Sequence, residues 1–124
     1  ITSAVLAKKF IDDMGSDNLK LMWDPANTLY CGEVVWPDGF DVLRGGYISH
    51  VHMKDCRVDI PAATVWQCEM GTGEMAPYLE GLAAGFKEEN FDGVISLESV
   101  YHPDGGTYED GFRASVGKFK EIFG

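Results

Sequence analysis

Basic residues, long apolar runs and paired cysteines are all scarce in this sequence of 124 residues. Lys and Arg number 10 against 20 Asp and Glu, so the formal net charge is −10, and the cations that nucleic acid phosphates require are outnumbered. No apolar run reaches the length of a membrane-spanning helix. Cys31, Cys56 and Cys68 form no CxxC pair, and an odd count is typical of a reducing cytoplasm. The composition therefore argues against binding to nucleic acid or membrane and predicts a cytoplasmic protein.

The start of the chain also lacks the signals of a leader sequence. It begins Ile1-Thr2-Ser3-Ala4, with neither an initial Met nor a charged region followed by an apolar one. We therefore expect the sequence to continue a longer protein. Its hydrophobic content of 45% nevertheless suffices for a packed core, so residues 1–124 are predicted to form one domain or a part of one.

Helical and extended patterns alternate along the chain. Apolar residues recur at helical spacing in four segments, and short runs rich in apolar and β-branched residues separate them. The predicted helices are 4–14, 40–43, 75–86 and 108–123, the predicted strands are 19–23, 47–53 and 94–97, and 54–74 is predicted to be a long loop. This order predicts an α/β fold whose parallel strands are joined by helical crossovers. Three such strands form a small open sheet or a segment of a larger one.

Each predicted strand carries an ionisable residue at its carboxyl end, on the face opposite its most apolar residues. These residues are Asp24, His52 and Glu98. In parallel α/β folds the carboxyl ends of the strands gather ligand sites, and a His nitrogen with two carboxylates suits Mn²⁺, Mg²⁺, Co²⁺ or Zn²⁺. The alternatives are that Asp24 caps the following helix and that His52 is an ordinary core or surface residue. The shared position and facing favour a metal site.

Four short segments occur in the order and at the spacing of a known superfamily. They are LMWDPAN at 21–27, HVHMKD at 50–55, GTGE at 71–74 and FDGVISLE at 91–98. Together they resemble the xylose isomerase-like TIM barrels, which include sugar phosphate isomerases and epimerases, inosose dehydratases and abasic-site endonucleases. The resemblance implies a partial TIM barrel made of about strands six to eight with their flanking helices. A complete barrel of this kind has about 250 residues. The resemblance thus implies that the chain is the C-terminal half of the domain.

The resemblance also implies a chemistry for the three ionisable residues. In the family a Glu on strand five, an Asp on strand six, a His on strand seven and a Glu on strand eight hold the metal. Asp24, His52 and Glu98 match the last three, and the first Glu has no counterpart here. The family's sugar isomerases remove a proton next to a carbonyl and stabilise an enediolate with the cation. Glu98 is therefore expected to be both ligand and catalytic acid/base.

Further residues near these positions are candidates for contacts with a sugar or sugar phosphate. Lys54 and Arg57 follow the His52 strand, although both could instead be exposed surface residues. Asn27 stands where several relatives carry a substrate-contacting His. His50 could support His52 or pack in the core, and His102 could overhang the site or lie in a plain loop.

Two other features carry open predictions of the same kind. The backbone of 71–74 is expected either to bind an anion or to form a plain turn. Trp36 and Trp66 are expected in loops, either beside a sugar pocket or at a contact between subunits.

Several functions remain open at this point. The first is a metal-dependent sugar isomerase or epimerase, and the second is a lyase of the inosose dehydratase kind that uses the same metal ligands. A DNA repair endonuclease is disfavoured by the acidic charge, by Asn27 and by the presence of only three histidines. The fourth is a non-catalytic half barrel that buries its open edges in a homodimer.

Overall fold

The computed structural model describes residues 2–124, in which helices alternate with strands as predicted. The helices are α1 (Ala4–Met14), α2 (Pro25–Leu29), α3 (Phe40–Leu43), α4 (Leu79–Glu88) and α5 (Tyr108–Phe123). The strands are β1 (Leu21–Trp23), β2 (Ile48–Met53), β3 (Asp55–Asp59), β4 (Thr64–Cys68) and β5 (Val94–Leu97). An irregular turn over Val35–Gly39 precedes α3, and a 3₁₀ turn over Ala76–Tyr78 precedes α4. No helix within residues 2–124 has both the length and the apolar character to cross a membrane.

Strands β1, β2 and β5 form a parallel sheet with β2 at its centre. Met22 lies opposite His50, and His52 lies opposite Ser96. Within the described residues β1 and β5 each pair on one side only. The fold is thus the predicted α/β arrangement of parallel strands with flanking helices, a partial TIM barrel.

The two faces of this sheet differ sharply in burial. Trp23, Val51 and Met53 point into the core, which also contains apolar side chains of the helices, including Phe40 and Leu82. On the other face, Met22 and Val94 remain 55% and 56% exposed. The period of two along a strand therefore separates a helix-covered face from the face that carries Asp24, His52 and Glu98.

Trp36 belongs to the helix-covered side and not to a sugar pocket. Its ring packs against Phe40 with centroids 5.1 Å apart. A Cβ atom added at Gly81 or Gly85 of α4 would lie 2.4 to 2.6 Å from that ring. Two glycines one helical turn apart thus let α4 approach the indole, and Trp36 is a packing residue.

The predicted loop over 54–74 is wrong, because most of it is a β-hairpin. β3 and β4 pair antiparallel, with Asp55 opposite Cys68 and Arg57 opposite Trp66. Ala63 closes the turn with a φ of +49°, a conformation that usually selects Gly or Asn. The hairpin stands at the carboxyl end of β2 and so adjoins the strand ends that carry the candidate site.

Candidate metal centre

The three ionisable residues predicted at the strand ends do meet. Asp24, His52 and Glu98 each offer one ligand atom, and these atoms all lie within 4.8 Å of one another. His52 Nδ1 is 3.6 Å from Glu98 Oε1. The three residues are half-buried, so the cluster opens to solvent from one side. Three neighbouring parallel strands thus place one imidazole and two carboxylates around a common point.

Asp24 serves two purposes with its two carboxylate oxygens. Oδ1 accepts a hydrogen bond of 3.1 Å from the backbone N–H of Asn27 and caps α2. Oδ2 lies 2.6 Å from the Lys54 Nζ atom. The helix cap expected as an alternative is therefore present, and it orients the second oxygen toward the cluster.

Lys54 bridges the two carboxylates of the cluster. Its Nζ atom lies 2.6 Å from Asp24 Oδ2 and 2.7 Å from Glu98 Oε2, and its side chain is only 11% exposed. The alternative that Lys54 is an exposed surface residue is therefore wrong. The hydrogen bond from Lys54 lowers the pKa of Glu98. Burial opposes the charge of Lys54, but its hydrogen bonds to Asp24 and Glu98 outweigh burial and raise its pKa. Glu98 and Lys54 are thus held in their charged forms.

The donor set fits a divalent cation. One imidazole nitrogen and two carboxylates are the hard and borderline ligands that Mn²⁺, Mg²⁺, Co²⁺ and Zn²⁺ accept. The space between Asp24 and Glu98 suits a positive charge, because the ammonium group of Lys54 lies there and contacts both carboxylates. Lys54 offsets the repulsion between two close carboxylates and keeps the site assembled.

The comparisons with known proteins address the fold that holds this cluster. A family model described as xylose isomerase-like TIM barrel matches residues 2–122. The chain belongs to the xylose isomerase-like TIM barrel family. It is also similar to a crystal structure of a xylose isomerase domain protein from Planctomyces limnophilus, with a TM-score of 0.66 and 21% identity. That match covers 97% of this chain and 41% of the other, so the chain spans less than half the length of that relative. No curated protein matches it.

Beside the metal centre, this xylose isomerase-like chain anchors a loop on a buried carboxylate. Asp55 is 2% exposed and accepts backbone hydrogen bonds of 2.8 to 3.0 Å from Cys56, Gly71, Gly73 and Met75. The predicted anion at the 71–74 loop is therefore the chain's own Asp55. This anchoring fixes the direction of the chain directly after Lys54.

His50 lies behind the cluster and does not join it. Its Nε2 atom is 2.8 Å from Ser96 Oγ, which donates to the Val51 carbonyl. The His50 and His52 rings meet edge to face with centroids 4.8 Å apart. His50 therefore contacts the ring of His52, as in the alternative in which it supports that residue rather than packs in the core.

The remaining predicted residues of this xylose isomerase-like site lie outside the three-residue cluster. Asn27 is exposed and accepts a hydrogen bond from the Tyr30 hydroxyl. Arg57 is exposed, and its guanidinium donates to the Thr72 carbonyl at 3.5 Å. His102 is also exposed and lies in the loop after β5. Arg57 and His102 line one groove, whereas Asn27 stands beyond Asp24 at the start of α2.

Two polar residues near the cluster, Gln67 and Ser99, are not among the residues predicted from the sequence. Gln67 Oε1 and Ser99 Oγ are buried and have no hydrogen-bond partner within residues 2–124. Both line a narrow cavity of about 10 Å³ that Lys54 and Glu98 also line. Ser99 follows Glu98 directly, so its position in the sequence could have indicated that it lies near the cluster. Gln67 could not be found in this way, because only the folded hairpin brings it to the cavity.

Proposed function

We propose that the chain carries the cation-binding side of an active site that isomerises or epimerises a sugar. The observation behind the proposal is that ligand atoms of Asp24, His52 and Glu98 lie within 4.8 Å of one another at the carboxyl ends of adjacent parallel strands. Membership of the xylose isomerase-like TIM barrel family supports it, because sugar isomerases belong to that superfamily. Asp24, His52 and Glu98 would hold the metal ion.

Glu98 would act as the base. An ionised carboxylate is required to take a proton from the carbon next to the substrate carbonyl, and the pKa of Glu98 is lowered by its hydrogen bond to Lys54. The proton moves to a Glu98 oxygen, the C–H electron pair forms the C=C bond of the enediolate, and the carbonyl electrons pass to its oxygen. When bound, a divalent cation supplies Lewis-acid stabilisation of that negative charge.

Lys54 would orient the substrate. Its ammonium group is the cation nearest the two carboxylates, and it can donate to a hydroxyl or phosphate oxygen once a metal ion neutralises those carboxylates.

The position to which the proton returns determines the product. Returning the proton to the neighbouring carbon isomerises the sugar, and returning it to the opposite face of the same carbon epimerises it. A second acid/base group for the opposite face would come from a longer protein or a second copy adjoining the free sheet edges.

The proposal predicts cation-dependent exchange of one substrate proton. The protein would be incubated with Mn²⁺ in D₂O with a panel of ketoses and inososes, and ¹H NMR would follow the protons next to each carbonyl. We expect deuterium to enter one such position of a ketose and the exchange to stop when EDTA removes the metal, because the charge on the oxygen then lacks its counter-ion.

Two results would speak against this proposal. No exchange and no product with any ketose, although Mn²⁺ binds, would contradict the isomerase and epimerase chemistry. Loss of water from an inosose, without exchange in any ketose, would instead favour the lyase that uses the same ligands.

A further inference from the structure

A groove runs beside the metal centre, between the β3–β4 hairpin and the loop that follows β5. Its volume is about 550 Å³. Arg57 and Trp66 line it from the hairpin, and Tyr101 and His102 line it from the loop. Tyr101 also lines the narrow cavity beside Glu98. The groove, which we call the hairpin groove, therefore continues outward from the carboxylate cluster.

Trp66 gives the hairpin groove a flat apolar surface. Its side chain remains 51% exposed, although tryptophan is highly buried on average. Polar side chains of Gln67, Glu69 and Asp104 line the same groove, and Gln67 Oε1 is buried without a partner among the described residues. An aromatic face surrounded by hydrogen-bonding groups matches a pyranose ring, which has apolar C–H faces and a rim of hydroxyls.

The charges of the hairpin groove favour a neutral ligand. Arg57 is its one Lys or Arg side chain, and Glu69 and Asp104 are two carboxylates. An anionic group would meet an excess of negative charge there, whereas hydroxyls can donate to the carboxylates and accept from the guanidinium. The Arg57 guanidinium donates to the Thr72 carbonyl over a long 3.5 Å and also lies beside the Cys68 thiol, which leaves several of its five donors available.

Trp66 stands farther out along the hairpin than Lys54, the residue that reaches the cluster. It pairs with Arg57 across the hairpin, and Arg57 lies three residues beyond Lys54, whose Nζ atom contacts Glu98. An extended chain advances about 3.3 Å per residue, so this step is about 10 Å. Along the backbone this step is longer than one pyranose ring, so Trp66 is placed for a ring next to the sugar that reacts.

We propose that the hairpin groove is a subsite for a second, neutral sugar ring that stacks on Trp66. The inference rests on the proposed function and narrows its substrate class. The sugar whose proton Glu98 removes then carries a further ring, as in a disaccharide or another glycoside. Arg57 and His102 belong to this subsite and do not bind the reacting carbon.

Binding of cellobiose and glucose to the chain in EDTA tests the subsite without any turnover. Isothermal titration would compare the unmodified protein with Trp66→Ala, Trp66→Tyr and the control Phe112→Ala, which removes an equally exposed aromatic ring outside the groove. We expect cellobiose to bind at least about tenfold more tightly than glucose, a preference that Trp66→Ala removes and Trp66→Tyr largely keeps. Phe112→Ala should leave it unchanged, and glucose 6-phosphate should gain nothing over glucose.

The proposal is overturned if cellobiose binds no better than glucose, if the preference survives Trp66→Ala, or if glucose 6-phosphate binds better than cellobiose. These results say nothing about Glu98, because no metal and no reaction are involved. Conversely, Trp66-dependent binding of cellobiose in a protein that never exchanges a ketose proton would leave the sugar subsite standing and contradict only the isomerase.

Discussion

Glu98→Gln should lower the rate of substrate proton exchange by about a thousandfold, which is within the usual contribution of a positioned general base. The amide is nearly isosteric with the carboxylate but cannot accept the proton. It also removes one anionic ligand, so Lys54 keeps a single charged partner, Asp24, at 2.6 Å. The exchange experiment in D₂O with Mn²⁺ measures this loss directly.

The expected loss of proton exchange has to be distinguished from a loss of folding. Glu98 is 36% exposed, so its substitution should leave the midpoint of thermal unfolding close to that of the unmodified protein. Glu80→Gln, which changes an exposed glutamate on α4, should keep the full exchange rate. Exchange that persists in Glu98→Gln would mean that another group is the base.

Asp55→Asn should cost about 3 kcal/mol of the free energy of unfolding, as expected when buried donors lose a charged acceptor. The carboxylate of Asp55 accepts four backbone N–H groups, from Cys56, Gly71, Gly73 and Met75. An asparagine offers one oxygen, and its NH₂ group would face donors. Urea denaturation followed by circular dichroism measures the change.

A matched control and a second variant test the same loop. Asp92→Asn, at an exposed aspartate, should change the free energy of unfolding by less than about 0.5 kcal/mol. Gly73→Ala should also destabilise, because the added Cβ would lie 2.3 Å from the Cys56 carbonyl oxygen and 2.5 Å from Asp55 Oδ1. An Asp55→Asn protein as stable as the Asp92→Asn control would show that this carboxylate does not hold the loop.

The sequence was sufficient to predict that Asp24, His52 and Glu98 lie close together, because two simple regularities determine their positions. Side chains alternate along a strand with a period of two, and the carboxyl ends of parallel strands share one edge. Asp24, His52 and Glu98 each lie at or just beyond a strand end, so both regularities bring them together. The same alternation placed His50 on the face of His52, where it contacts that ring.

The contacts around the cluster could not be predicted, because they join parts of the chain that no local pattern connects. The hairpin was missed since its turn reaches a positive φ at Ala63 without the Gly or Asn that normally marks one. Three of the four partners of Asp55 lie 16 to 20 residues further along the chain, and Gln67 comes near Glu98 only after the hairpin folds back. The role of Lys54 depends on two carboxylates from different strands.

Titration of the 124-residue chain with Mn²⁺ measures directly whether Asp24, His52 and Glu98 bind a divalent cation, which the proposed isomerase chemistry requires. We expect one Mn²⁺ to bind per chain, His52→Gln to weaken this binding by more than about tenfold, and His102→Gln, outside the cluster, to leave it unchanged. If the chain binds no Mn²⁺, or if the His52→Gln variant binds it as tightly as the unmodified protein, then Asp24, His52 and Glu98 do not form a metal site.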